Sequence, residues 1–125
     1  MKPSDMSEDQ ELIVDDMLHA KAKAILHTQF YLNERRGRAN CSDDERNQIN
    51  LKLAELNKQA GLIQLQITAL DADTLDVAPP TAKAVAKIRD LATQVDGLNQ
   101  AQAIAASTWS FIGTVIDATA PLVSA

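Results

Sequence analysis

Apolar residues recur at helical spacing from the start of the chain to its first glycine, Gly37. Ser7 stands three residues before Gln10, the spacing of a capping box, in which a hydroxyl and a side-chain amide satisfy backbone N–H groups at a helix start. Acidic residues follow Ser7 and arginines precede Gly37, as the helix dipole favours. The pattern predicts a first helix over about residues 8–36. Its apolar stripe comprises Ile13, Met17, Ala20, Ala24, His27 and Tyr31.

A second stripe follows Ser42, where Glu45 repeats the capping-box spacing. Seven successive heptad positions are apolar, which predicts an amphipathic helix over about residues 43–72. Alternation of apolar and polar residues over 63–69 permits a strand, but the heptad spacing runs through this stretch without a phase change and favours the helix. Two prolines, at positions 79 and 80, then exclude helix. The heptad positions are Ile49, Leu53, Leu56, Ala60, Ile63, Ile67 and Leu70.

The third stripe is the longest and predicts a helix over about residues 81–118. Asp96-Gly97 is a turn signal inside it. Because the spacing of four and three passes through Val95 and Leu98 unbroken, the pattern favours one continuous helix over two separate ones. Ala120-Pro121 ends the element. The stripe comprises Ala84, Ile88, Leu91, Val95, Leu98, Gln102, Ala105, Trp109, Ile112 and Ile116.

Together the stripes predict an all-α protein: one domain, residues 1–125, of three long antiparallel amphipathic helices in a coiled-coil-like bundle. The first two helices would each be about 40 Å long, and the third about 55 Å long. The end of the third helix should therefore overhang the others and offer an apolar surface to a partner or a membrane. The residues expected on that surface are Trp109, Phe111, Ile112, Val115 and Ile116.

The stretch Gly97 to Ile116 contains no charged residue and has about the length that crosses a bilayer. Its amides and hydroxyls, among them Asn99, Gln100 and Gln102, argue against permanent insertion, because they would enter hydrocarbon. Conditional insertion from a soluble form remains open as an alternative.

Composition narrows the classes of partner and compartment. Apolar residues make up 46% of the chain, which is enough for a folded core. The net charge of −5 argues against a nucleic-acid partner. The polar, acidic N-terminus lacks the features of a signal peptide, so we expect a cytoplasmic protein. Cys41 is the single cysteine and should remain a free thiol.

No catalytic, cofactor or metal site is predicted. His19 and His27 are too far apart along the first helix to share a metal, and His27 is expected to be a packing residue. Asp43 and Asp44 fit a helix N-terminus better than acid–base catalysis. Arginines near Cys41 would lower its pKa, but no base stands near it in the sequence. Four arginines cluster at the first turn and are interpreted as complements to helix ends: Arg35, Arg36, Arg38 and Arg46.

The sequence therefore predicts a non-enzymatic helical protein that assembles with itself or binds another protein, as an adaptor or a structural subunit. One alternative is a membrane-active protein, such as a toxin component, that inserts residues 97–125 into lipid. A second is an immunity- or chaperone-type protein that covers another polypeptide. Composition and spacing do not separate these three classes.

Overall fold

The computed structural model describes residues 1–124 and is built from α-helices, preceded by one short 3₁₀ helix, Pro3–Asp5. α1 spans Glu8–Arg36 and α2 spans Asp43–Asp71, close to the ranges that the sequence predicts. The Ser7 capping box is complete, since its hydroxyl accepts from the Gln10 amide and the glutamine side chain accepts from the Ser7 amide. The region predicted to be helical rather than strand, 63–69, lies within α2.

The predicted third helix is wrong, because the chain forms two helices there. α3 spans Ala82–Asp96 and α4 spans Ala106–Ala118, with an irregular linker between them. Gly97 ends α3, and its N–H donates to carbonyls of the preceding turn. The break lets the chain fold back on itself, which buries apolar side chains of α4 that one straight helix would carry past the ends of α1 and α2. Each such side chain contributes about 1.5–3 kcal/mol when fully buried.

α1 and α2 run in opposite directions, joined by a tight turn. Gln29 of α1 donates to Asn57 of α2 at 2.7 Å, and seven residues later Arg36 donates to Asn50 at 2.8 Å. Residue numbers of the bonded partners fall along α2 as they rise along α1, so the two helices are antiparallel.

α3 runs in the same direction as α1. A guanidinium nitrogen of Arg89 lies 3.8 Å from the Asp16 carboxylate, and at the end of α3 the Asp96 carboxylate lies 2.8 Å from Nδ1 of His27. The linker continues to the far end of α1, and α4 then returns alongside α2. The four helices therefore alternate in direction along the chain.

α1 lies at the centre of the molecule and contacts each of the other three helices. Its buried positions cover a broad face, as needed for a helix with neighbours on several sides. The α2 residues that face it are mostly the predicted heptad positions. The side chains with no exposure at all include Val14, Leu18, Ala24, Leu32, Ile49, Leu56, Ile63, Ile112 and Val115.

The segment between α2 and α3 closes one end of the molecule. Asp73 adopts a φ of 60°, the left-handed conformation in which helices commonly end. Val77 is buried, and its N–H donates to the Met1 carbonyl. The N-terminal ammonium pairs with Asp76, and the Ala78 N–H donates to the Val123 carbonyl. Both ends of the chain therefore meet this segment.

Candidate interaction surfaces and the buried polar network

The predicted interface residues of α4 do not share one exposed surface. Ile112 and Val115 have no solvent exposure and belong to the core. Trp109, Phe111 and Ile116 are partly buried against it. The expected overhang is wrong, because α4 lies alongside α1 and α2 rather than beyond them. Whether the partly buried three contact a partner stays a prediction.

Trp109 borders a shallow surface cavity of about 620 Å³ between α4 and α2. Leu51 of α2 stands in its wall and is 68% exposed. Leu51 lies on the side of α2 away from the heptad positions, so the apolar stripe does not include it. The remaining lining residues are Gln48, Lys52, Ala54, Glu55 and Ser110.

A second exposed apolar surface lies on α1. Leu26 and Phe30 are 63% and 61% exposed, and their spacing of four residues places them side by side. They border a groove of about 520 Å³ between α1 and α2. We call this groove and its two apolar side chains the outer face. It is completed by Gln29, Asn33, Arg36, Asn50, Leu53, Ala54 and Asn57.

The outer face carries almost no charge. Its polar residues are mainly amides, and those of Gln29 and Asn57 bind each other. Arg36 is its one charged residue, and its guanidinium donates to the side chains of Asn50 and Asn33 at 2.8 and 2.7 Å. The amides and the cation of this surface already have hydrogen-bond partners, and two large apolar side chains face water. Such a surface favours burial against another apolar surface.

Sequence reasoning missed the outer face. The pair Leu26 and Phe30 lies off the apolar stripe of α1, and the stripes alone do not include it. A signal was present, because two large apolar residues four apart on the polar side of an amphipathic helix form an exposed pair.

Arg35 is the most deeply placed charged residue, with no solvent exposure. It forms a two-bond ion pair with Glu45, from Nε at 3.0 Å and Nη2 at 2.8 Å. Its other hydrogen bonds reach the side chain and carbonyl of Asn40 and the carbonyl of Gln100. The guanidinium is thus fully bonded where the α1–α2 turn meets the linker after α3.

Glu45 holds the same linker from the other side. Its Oε2 accepts from the Ile104 N–H at 2.7 Å in addition to Arg35. The bond with Arg35, assisted by that from Ile104, lowers the pKa of Glu45 from 4.5 to about 2 although burial opposes the shift. The predicted second capping box is therefore half formed: Ser42 accepts from the Glu45 amide, but the carboxylate binds elsewhere.

Cys41 lies beside this network and is a free, buried thiol, 6% exposed. Burial raises the pKa of Cys41, and the adjacent Glu45 adds to the rise more than the nearby arginines oppose it. The expectation of a lowered pKa is wrong, because burial of the thiol and the adjacent Glu45 outweigh the lowering effect of Arg35 and Arg46. A raised pKa keeps the thiol protonated and unreactive.

The two histidines lie apart. His19 accompanies Asp15 on the exposed side of α1, at 3.3 Å from its carboxylate. His27 is half-buried, and its Nδ1 stands 2.8 Å from Asp96 without a well-aligned hydrogen bond. Within residues 1–124 no group of three or more histidine, cysteine or acidic side chains is placed to hold a metal ion.

Comparisons of this chain with protein-family models, curated protein sequences and solved structures find no match. Of the helices in the described part of the chain, none is both long enough and apolar enough to span a bilayer.

Proposed function

We propose that this chain is a non-enzymatic helical protein that assembles with a second copy of itself through the outer face. The observation that carries the proposal is the exposure of Leu26 and Phe30 beside a groove between α1 and α2 in which Arg36 is the one charged residue. Isolated exposed apolar residues are ordinary, but a paired set beside a groove is typical of contact surfaces.

Charge favours a second copy as the occupant. The chain carries a net charge of −5, so two copies repel each other over most of their surfaces. The groove is lined without any acidic residue, which makes it a place where two copies can approach without that repulsion. Related by a two-fold axis, each copy would insert its Phe30 toward the groove of the other.

The absence of enzymatic activity is part of the proposal. Arg35 and Glu45 satisfy each other and the linker, Cys41 is buried and protonated, and the histidines stand apart. These groups act structurally, since none of them faces a shared cleft with a second reactive group.

The experiment compares wild type with Leu26→Glu, Phe30→Glu and, as the matched control, Leu12→Glu. Leu12 is 58% exposed on the same helix but lies outside the outer face. Light-scattering mass and sedimentation should give a dimer for wild type and Leu12→Glu. Each outer-face variant should dissociate at least about tenfold more readily, because a charge would be buried in the contact.

A monomeric wild type at every concentration, or equal weakening by Leu12→Glu, would overturn the proposal. Circular dichroism should show unchanged helicity in all three variants, since each site is exposed. Dye leakage from vesicles with a blue shift of Trp109 fluorescence would favour the membrane-active alternative instead. A monomer that binds a different polypeptide through Phe30 would favour the immunity- or chaperone-type alternative.

A further inference from the structure

A cleft opens between α3 and α4. Both helices pack on α1 but make few contacts with each other, so a gap of about 470 Å³ remains above α1. Its lining is mostly apolar and includes Met17 and Lys21 of α1, Ile88 and Leu91 of α3, and Ala118 of α4. Spaces of this size between helices of a bundle are typical of small-molecule sites.

Lys21 lies in the lining of this cleft and is only 8% exposed. Its ammonium donates to the carbonyl of Ala120, just beyond the end of α4. Within the described chain, no carboxylate lies within ion-pair distance of it. An ammonium has three donors, and a buried charge without a counter-ion is costly.

The hydrogen bond from Lys21 to the Ala120 carbonyl explains part of the burial of Lys21. A cation near the C-terminal end of a helix interacts favourably with the helix dipole, so Lys21 helps to hold α4 in place. A lysine near the surface would serve the same purpose without burial. The two remaining donors and the unpaired charge have no structural partner in the described chain, and burial lowers the pKa of Lys21 as expected for such a site.

We propose that the cleft binds a carboxylate that carries an unbranched aliphatic chain, with the carboxylate on Lys21 and the chain between α3 and α4. The apolar lining matches the chain, and the unpaired ammonium matches the head group. Two charged residues of α3, Lys87 and Asp90, also line the cleft, and both are exposed to solvent. The Lys21 ammonium is thus the one buried charge of the cleft, and because it is positive it favours an anionic ligand.

The site is separate from the outer face. Met17 and Leu26 are nine residues apart on α1, which places them on opposite sides of the helix. A ligand in the cleft and a second copy on the outer face therefore do not compete, and a change at Lys21 should leave the dimer intact.

The probe is decanoate, below its micelle concentration, compared with decanol and decyltrimethylammonium by isothermal titration. Decanoate should bind wild type at least about tenfold more tightly than the other two, because a charge-assisted hydrogen bond forms only with the anion. Lys21→Met keeps the length and apolar character of the side chain and should remove that preference. Lys21→Arg should retain it.

Lys87→Met is the matched control, since it removes an exposed lysine of the same cleft, and decanoate affinity should change by less than about threefold. Amide shifts on binding should be centred on Leu91, Thr114 and Ala118, which line the cleft. If wild type bound decanoate and decanol with equal affinity, that measurement alone would overturn the proposal. Unchanged decanoate affinity in a folded Lys21→Met, or shifts centred on the outer face, would also overturn it.

Discussion

Arg35 and Glu45 form a buried ion pair with two hydrogen bonds, where three separate parts of the chain meet. The pair is nearly free of solvent, with side-chain exposures of 0% and 9%. Removing one member of such a pair leaves a buried charge without its partner, which typically costs about 3–5 kcal/mol. The contact also holds the linker before α4 through Ile104 and Gln100.

We expect Glu45→Gln to lower the free energy of unfolding by about 3 kcal/mol at pH 7, because it leaves Arg35 buried without a counter-charge. In the folded wild type the pKa of Glu45 lies near 2, below its usual 4.5. The stabilisation is therefore complete above pH 4.5 and is lost as the pH falls toward 2. The difference between wild type and variant should shrink over that range, as measured by urea unfolding at a series of pH values.

Glu55→Gln is the control for this pH series. Glu55 is 53% exposed and lies 3.6 Å from Lys52 on the same helix, so its loss should change stability by less than about 1 kcal/mol at any pH. A gap between wild type and Glu45→Gln that stays constant down to pH 3 would show that the carboxylate charge is not the stabilising feature.

Glu45 also has hydrogen-bond partners that its local sequence does not predict. The spacing of Ser42 and Glu45 predicted two reciprocal hydrogen bonds, and only the one from the Glu45 amide to the Ser42 hydroxyl forms. The Glu45 carboxylate instead binds Arg35, ten residues away, and the Ile104 amide, 59 residues away. Local spacing identifies a helix start, but it does not reveal a stronger partner that only the folded chain brings near.

α2 carries leucines on both its buried face and its exposed face. Leu56 is a heptad position with no exposure, whereas Leu51, on the same helix, is 68% exposed. The same residue type therefore has opposite roles, and the heptad spacing separates them. The reason is that one face of α2 packs on α1 while its back is open to water.

This contrast can be tested with Leu56→Asp and Leu51→Asp. The first places an unpaired carboxylate in the core and should unfold the protein, with loss of the helical signal in circular dichroism at 25 °C. The second should stay folded, with a midpoint of thermal unfolding within a few degrees of wild type. Equal loss of helicity in both variants would mean that the stripe does not define the buried face.

The apolar spacing of the third stripe did not predict the break after α3. Spacing of four and three continues through Gly97, because the residues on both sides of the linker pack toward the same core from different helices. Periodicity records which side chains are apolar, and it does not record whether the backbone between them is straight. The turn signal at Asp96-Gly97 was the correct indication.

α1 packs against three neighbouring helices, whereas α4 makes fewer contacts with its neighbours. α4 contacts α1 and α2 over a smaller region than α3 or α2 contacts α1. Side chains of α2 bind its C-terminal end, since Gln59 donates to the Ile116 carbonyl and Gln66 to that of Leu122. The helix is therefore fixed at its two ends, by the Glu45 network and by these amides.

Native-state hydrogen exchange should reveal this difference. Amides in the middle of α4 should exchange through an opening of lower free energy than those of α1 near Ala24, because fewer buried contacts break when α4 detaches. Exchange read out by mass spectrometry over a range of urea concentrations would separate the two openings. A single common opening free energy for α1 and α4 would contradict the expectation.

The helical character of the chain and the bounds of α1 and α2 follow from local sequence, because capping residues and apolar spacing act within a few residues of each other. The reversal before α4, the burial of Ile112 and Val115 and the exposure of Leu26 and Phe30 arise only in the folded molecule. Those outcomes depend on which surfaces meet after the chain reverses. That choice is made by competition among contacts far apart in sequence, so local signals such as Asp96-Gly97 and the spacing of Leu26 and Phe30 indicate these outcomes without deciding them.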